Sequence, residues 1–161
     1  MIIKDGFVLF WKTQDYMSNW YESPFEINGI KFNCAEQYMM YSKAMMFSDT
    51  YIAQKVLQTT VPREQKALGR KVRNFDNTLW EEKRLQVIYE GCLAKFQQNG
   101  ELKNKLLSTG DLHLAEASPY DKIYGIGLDE NHQDSTVPEK WKGLNLLGEV
   151  LMSVRKKLSE E

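Results

Sequence analysis

The hydrophobic pattern changes its period near residue 33, and this change restricts the chain to folds that join a small sheet to a larger set of helices. Before that point, apolar residues alternate with polar ones or form runs of strand length, as at residues 7–11. Beyond it they recur every three or four residues, which is typical of amphipathic helices. We therefore predict an α+β fold, mostly helical. A chain of 161 residues favours a single compact domain over residues 1–161.

A β-hairpin is predicted in the first third of the chain. Residues 25–27 and 30–32 alternate around Asn28-Gly29, and both central positions of a type I′ turn require a positive φ. The aromatic and polar residues 15–24 are predicted to form a loop, and residues 112–117 another strand. We expect one small sheet containing the hairpin and one or two of these other strands.

Helical patterns occupy most of the remainder. Asn33 followed by Glu36 is typical of a capping box, so we expect Asn33 to begin a helix that runs to Met46. Gly69 is predicted to cap the end of a short helix that starts at Pro62. Further helices are predicted over residues 49–57, 78–98, 101–108 and 145–158. The helix over 78–98 carries an apolar stripe that we expect to be core: Leu85, Ile88, Tyr89, Cys92, Leu93 and Phe96.

Charge and cysteine content narrow the function classes. The chain has 21 Lys and Arg against 22 Asp and Glu, so it lacks the positive charge of a dedicated duplex-DNA or anionic-membrane binder. No apolar run approaches the ~20 residues of a membrane helix, and the N-terminus lacks the pattern of a signal peptide. Cys34 and Cys92 are far apart and are predicted to be reduced thiols. We expect a cytoplasmic, monomeric protein with no membrane segment.

Several common catalytic and ligand-binding motifs are absent from the sequence. It contains no phosphate-binding loop, no dinucleotide-binding glycine motif and no nucleophile elbow. With two histidines and no paired cysteines, a zinc site is not expected. We predict that the protein uses neither a metal nor a cofactor.

One candidate site lies on the helix after residue 33. Glu36, Met40 and Lys43 are spaced by four and three, so they share a helix face. The two ends of this set are ~10 Å apart along the axis, and both long side chains can reach one ligand. The alternatives are structural: Glu36 would be the capping partner, and Lys43 a solvated helix lysine.

Two other segments combine polar and aromatic residues. Trp80 and Arg84 are one helical turn apart, and with Arg70 they would suit a base or ribose beside a phosphate. Trp80 would otherwise anchor the helix start in the core. Residues 116–127 hold Glu116, Asp121, Tyr124 and closely spaced glycines that include Gly125, which allow the backbone to approach a ligand. As an alternative, Asp121 is an ordinary turn residue.

These segments together resemble the NADAR, or YbiA-like, family of N-glycosidases. The resemblance runs in order from about residue 10 to residue 158, and it is the ordered set of motifs that is specific. The motifs are Met17-Ser18-Asn19-Trp20-Tyr21, Ser23-Pro24-Phe25, Glu36-Gln37-Tyr38-Met39, Lys43-Ala44, Leu68-Gly69-Arg70, Trp80 with Arg84, Lys95-Phe96, Leu106-Leu107, Thr109-Gly110, Glu116-Ala117-Ser118-Pro119, Asp121, Tyr124-Gly125-Ile126-Gly127, Trp141-Lys142-Gly143, Asn145-Leu146-Leu147-Gly148 and Leu151-Met152.

The resemblance implies an enzyme that cleaves the N-glycosidic bond between a base or amine and a phosphorylated ribose or ADP-ribose. Such substrates are ADP-ribosylated guanine and phosphoribosylated intermediates of riboflavin synthesis. The substrate would be a small molecule or ADP-ribosylated nucleic acid. By position, it assigns catalytic roles to Glu36, Lys43 and Asp121. It assigns substrate binding to Ser18, Asn19, Trp20, Arg70, Trp80, Arg84, Glu116, Tyr124, Gly125 and Asn145. Trp20 stands where the family often has Phe, and Tyr124 where it has Trp, so both positions remain aromatic.

The implied chemistry is general acid–base catalysis by carboxylates, with a Schiff base on Lys43 as a further route. Two other functions remain open at this point. One is a non-catalytic module that binds ADP-ribose or a nucleotide, and the other is a protein-interaction domain.

Overall fold

The computed structural model describes residues 1–161. The chain divides into two compact units, one formed by Met1–Tyr21 with Gly100–Glu161, the other by Glu22–Asn99. The strands are β1 (Ile2–Lys4), β2 (Phe7–Phe10), β3 (Phe25–Ile27), β4 (Ile30–Phe32) and β5 (His113–Glu116). The helices are α1 (Ala35–Met46), α2 (Thr50–Gln58), α3 (Pro62–Gly69), α4 (Asn77–Gln97), α5 (Gly100–Ser108) and α6 (Leu146–Ser159), with a 3₁₀ turn at Pro138–Lys140. The predicted α+β, mostly helical class is confirmed.

The strands form two sheets where the sequence predicted one. The hairpin β3–β4 is a sheet of its own, and its turn has the positive φ at Asn28 and Gly29 that type I′ requires. The other sheet has the order β1-β2-β5, with β1 antiparallel and β5 parallel to β2. The strand β1 was not predicted from the sequence. The parallel pair joins segments about a hundred residues apart, which a local pattern does not reveal.

The unit formed by Glu22–Asn99 is built around α1, which packs against α2, α3 and α4. Close approach depends on small residues at the crossings. A Cβ on Gly91 of α4 would lie 2.8 Å from the Tyr38 ring, and one on Gly69 of α3 would overlap the Met40 sulfur. The prediction that Gly69 caps α3 is wrong, because Arg70 is the C-cap residue and Gly69 is the last helical residue. A larger residue at Gly69 would instead force the Met40 side chain to move.

The start of α1 also differs from the prediction. Cys34, not Asn33, is the N-cap residue, so Glu36 is the second helical residue and not the capping partner. Gln37 takes that position, since its Oε1 accepts a hydrogen bond from the Asn33 backbone N–H at 2.7 Å. The Asn33 side chain is used elsewhere, donating to the Thr60 carbonyl at 2.8 Å. The capping explanation for Glu36 is therefore removed.

The apolar stripe of α4 is only partly as predicted. Ile88, Cys92 and Phe96 are buried, but Leu85 is 46% exposed, so its assignment to the core is wrong. The buried face instead includes Val87 and Lys95, and the apolar spacing did not predict that either would be buried. No helix of the chain combines the length and apolar composition that a membrane crossing needs.

The unit formed by Met1–Tyr21 with Gly100–Glu161 has its core on the sheet. Helix α6 packs on β5, and a Cβ at Gly148 would overlap the Leu114 carbonyl oxygen. The core cluster here comprises Leu9, Ala115, Ala117, Ile126 and Leu128. Cys34 and Cys92, both in the other unit, are free thiols, as predicted, and both are buried.

Candidate active site

Helix α1 presents Glu36 and Lys43 two turns apart on one face. Glu36 is buried, with 6% of its surface exposed, and Lys43 is half-buried. The pKa of the Lys43 ammonium is lowered from its ordinary value, chiefly because burial disfavours the charged form. The Glu36 carboxylate opposes this shift in the pKa, and Arg70 adds to it. Glu36 and Arg70 therefore each lie within electrostatic reach of Lys43.

Two aromatic rings flank the Lys43 amine. Its Nζ lies 4.5 Å from the centre of the Phe75 ring and 5.9 Å from the centre of the Trp80 ring. Trp80 is buried, whereas Phe75 is 40% exposed. Trp80 lies in the first turn of α4. The Asp76 side chain caps this turn by accepting a hydrogen bond from the Thr78 backbone N–H at 2.9 Å.

Three of the sequence-predicted residues, Glu36, Arg70 and Trp80, thus gather around the predicted Lys43. Arg70 ends α3 and its side chain is exposed, which leaves a guanidinium able to take a phosphate. Arg84 lies one turn beyond Trp80 on α4 and is half-buried. The sequence reasoning missed Phe75, because a single aromatic residue in a connecting segment has no periodicity to mark it.

The other unit contains a tight turn around Asp121. The Asp121 Oδ1 accepts hydrogen bonds from the backbone N–H groups of Ile123 and Tyr124 at 2.9 and 2.8 Å. Ser118 Oγ accepts from the Asp121 N–H at 3.1 Å. One oxygen of Asp121 therefore shapes the turn, which is the structural alternative raised by the sequence. Tyr124 and Asp121 are half-buried.

Gly125 and Asn145 hold the backbone of this turn in place. A Cβ on Gly125 would lie 2.9 Å from the carbonyl oxygens of both Asp121 and Glu116, so no larger residue fits without a shift. Asn145 is fully buried, and its amide accepts from the Glu116 N–H and donates to the Leu114 carbonyl, both at 3.0 Å. Both functional groups of Asn145 are thus engaged with backbone, and this positions Glu116 at the end of β5.

The remaining predicted residues lie in the loop after β2. Ser18 Oγ accepts a hydrogen bond from the Trp20 backbone N–H at 3.1 Å, which orders the turn. Asn19 is buried, and Ser18 and Trp20 are half-buried.

One unexpected ionisable residue lies in the unit that contains Lys43. Lys95 of α4 is 0% exposed, and burial lowers its pKa to about 8, while the nearby Cys92 and Cys34 oppose that shift. No group of three or more His, Cys, Asp or Glu side chains is arranged to hold a metal ion.

Lys43, Glu36 and Arg70 together offer three chemical functions: a nucleophile, a proton donor or acceptor, and an anion-binding group. An amine whose pKa is lowered is neutral more often at a given pH, and the neutral form is the nucleophile. A buried carboxyl group near it can transfer protons, and an exposed guanidinium can bind an anion. This combination suits a reaction at the carbon of a phosphorylated sugar.

Residues 9–159 match the NADAR domain family, and the chain belongs to that family. The resemblance drawn from the sequence motifs is confirmed. The chain is 42% identical over 143 residues to the N-glycosidase R617 of Acanthamoeba polyphaga mimivirus, covering 86% of this chain and 84% of that protein. It is 41% identical over 168 residues to the protein irg-1 of Caenorhabditis elegans, covering 94% and 79%.

The fold is similar to the NMR structure of the Escherichia coli protein YbiA. The TM-score is 0.80 at 26% identity, covering 99% of this chain and 88% of that one. With relatives named as N-glycosidases, the chain falls in the N-glycosidase class of enzymes, as the sequence predicted.

Proposed function

We propose that the protein hydrolyses the N-glycosidic bond between a base or amine and a phosphorylated ribose or ADP-ribose. The substrates we propose are ADP-ribosylated guanine, free or in nucleic acid, and phosphoribosylated intermediates of riboflavin synthesis. The observation that carries the proposal is the Lys43 amine, with its lowered pKa, within electrostatic reach of Glu36 and Arg70.

The bond to be broken defines what the site must do. As it cleaves, positive charge develops at the anomeric carbon and negative charge on the departing base. We assign Glu36 as the general acid that protonates the leaving nitrogen and then as the base that activates water. Arg70 is assigned to the phosphate, since a guanidinium pairs with phosphate through parallel hydrogen bonds.

Lys43 is assigned as the nucleophile. Its neutral amine forms a bond to the anomeric carbon while the bond to the base breaks, and the proton from Glu36 leaves with the base. A proton then passes from the Lys43 nitrogen to the ring oxygen as the bond between that oxygen and the anomeric carbon breaks, and this opening of the ribose ring leaves a protonated imine between Lys43 and the sugar. Water adds to the imine carbon and releases the sugar aldehyde, which restores the amine. The alternative route has Glu36 activating water directly, with no bond to Lys43.

The test is a mass-spectrometric screen for released base. Phosphoribosyl amines, NAD derivatives and ADP-ribosylated guanine are each incubated with the protein, and we expect free base from at least one. Glu36→Gln should slow release ~10²–10⁴-fold, the usual contribution of general acid–base catalysis. Glu82→Gln, an exposed carboxylate on α4, is the matched control and should retain the rate.

The same samples distinguish the other two functions. A module that only binds ADP-ribose would be stabilised against heat by it, by ~2.7 kcal/mol at 100 times its Kd, yet release no base. A protein-interaction domain would show neither effect. Either result would contradict the proposed activity.

A further inference from the structure

Phe75 lies in the segment between α3 and α4 and is apolar yet 40% exposed. The proposed reaction gives it no role. Core packing does not account for it either, because a side chain that served only the core would be buried.

The segment holding Phe75 is anchored on both sides. On one side the Asp49 carboxylate accepts from the Arg73 backbone N–H at 2.9 Å and pairs with its guanidinium at 3.3 Å. On the other side Asp76 caps α4. The buried Phe47 ring packs edge-on against Phe75, with centroids 5.3 Å apart. The exposed ring is therefore held in position.

The face of this ring meets the Lys43 amine. Nζ lies 4.5 Å from the ring centre, within the ~6 Å over which an aromatic face attracts a cation. The attraction acts on the ammonium form and disappears when the amine becomes neutral. Trp80, at 5.9 Å, is the more distant and buried of the two rings.

We propose that Phe75 is a positioning residue whose ring face holds the Lys43 ammonium at the site until the amine loses its proton. The consequence for the reaction rests on the role proposed above for Lys43. The ring acts alongside the other groups that face Lys43, namely Glu36 on the same helix and Arg70 at the end of α3. Arg73, in the same segment, is already paired with Asp49.

The test compares Phe75→Leu, which removes the ring but keeps apolar bulk, with Phe75→Tyr, which keeps the ring. Lys43 is acetylated with trace acetic anhydride over a range of pH and quantified by peptide mass spectrometry, with the exposed Lys83 as internal reference. In Phe75→Leu the midpoint of the labelling curve should move to lower pH. Labelling near neutral pH should then rise about two- to fivefold, as loss of a partly exposed cation–π contact implies. Phe75→Tyr should match the wild type.

Base release supplies the second readout. In Phe75→Leu the acidic limb of the kcat/KM profile should move to lower pH. On the plateau kcat should stay near the wild-type value, because the ring does not attract the neutral amine that reacts there. An unmoved midpoint, or equal behaviour of the two variants, would overturn the inference. So would faster labelling at every pH with no change of midpoint, since that reports access alone. Because labelling needs no substrate, an inactive wild type would refute the proposed function without affecting this result.

Discussion

Replacing Lys95 by Met should make the stability of the protein respond differently to pH. Lys95 is completely buried, and burial lowers its pKa from 10.5 to about 8 in the folded protein. Between these two values the unfolded chain holds a proton that the folded chain has lost. The contribution of Lys95 to the free energy of unfolding therefore rises with pH over this range.

The size of the effect follows from the two pKa values. One pKa unit corresponds to 1.36 kcal/mol, so a protonated Lys95 costs the folded state about 3 kcal/mol near neutral pH. Between pH 7.5 and 9.5 about 2 kcal/mol of this cost is relieved. Met has a similar length and no charge, so the stability of the Lys95→Met protein lacks this pH-dependent contribution.

The assay is denaturant unfolding of both proteins at pH 7.5, 8.5 and 9.5. Burial raises the pKa of Cys34 to about 11 and, with the help of Glu90, that of Tyr38 to about 12. Tyr38 is present in both proteins, so its effect cancels in the difference. Lys95 lowers the pKa of Cys34, so Lys95→Met raises that pKa further, and the buried thiol stays protonated in both folded proteins over this range. We expect wild type to gain ~2 kcal/mol relative to Lys95→Met across this range. A difference that is constant, or that falls as pH rises, would refute the reasoning.

Three further predictions concern packing and capping. Phe96→Ala should lower the free energy of unfolding by ~3–5 kcal/mol, because it leaves a cavity in the core. Leu85→Ala, at an exposed position on the same helix, should lower it by less than about 1 kcal/mol, and equal losses would contradict the burial of Phe96. Gly148→Ala should lower the midpoint of thermal unfolding by overpacking worth ~1–3 kcal/mol, whereas Gly100→Ala, whose Cβ meets nothing within 4 Å, should not destabilise the fold. Asp49→Ala should cost ~1–2 kcal/mol by chemical denaturation, since it removes the α2 cap and the partner of an arginine, and an unchanged midpoint would disprove that role.

The parts of the fold that the sequence predicts are those specified by neighbouring residues. The hairpin follows from Asn28-Gly29, because a type I′ turn depends on two adjacent positions. The helices over residues 78–98 and 145–158 follow from apolar spacing of three and four residues, and the shorter helices follow from the residues that begin and end them. The pairing of β2 with β5 and the separation of the two sheets depend on contacts between distant segments, so no local pattern contains them.

The candidate site shows the same division. Glu36 and Lys43 could be paired from the sequence because they share one helix face. The approach of Phe75 to Lys43 depends on how α1, α3 and the segment before α4 pack together. The burial of Lys95 escaped prediction for a different reason: periodicity treats lysine as a surface residue, whereas here its side chain is fully buried.

The central claim is that Lys43 attacks the sugar, and trapping the intermediate tests it most directly. Borohydride is added while the protein turns over a substrate from which it releases base, and the peptide containing Lys43 is examined by mass spectrometry. We expect a stable ribosyl or ADP-ribosyl adduct on Lys43, with Lys43→Ala abolishing both the adduct and turnover. Near-normal turnover by Lys43→Ala, with no adduct in the wild type, would contradict the claim and leave Glu36 to act directly through water.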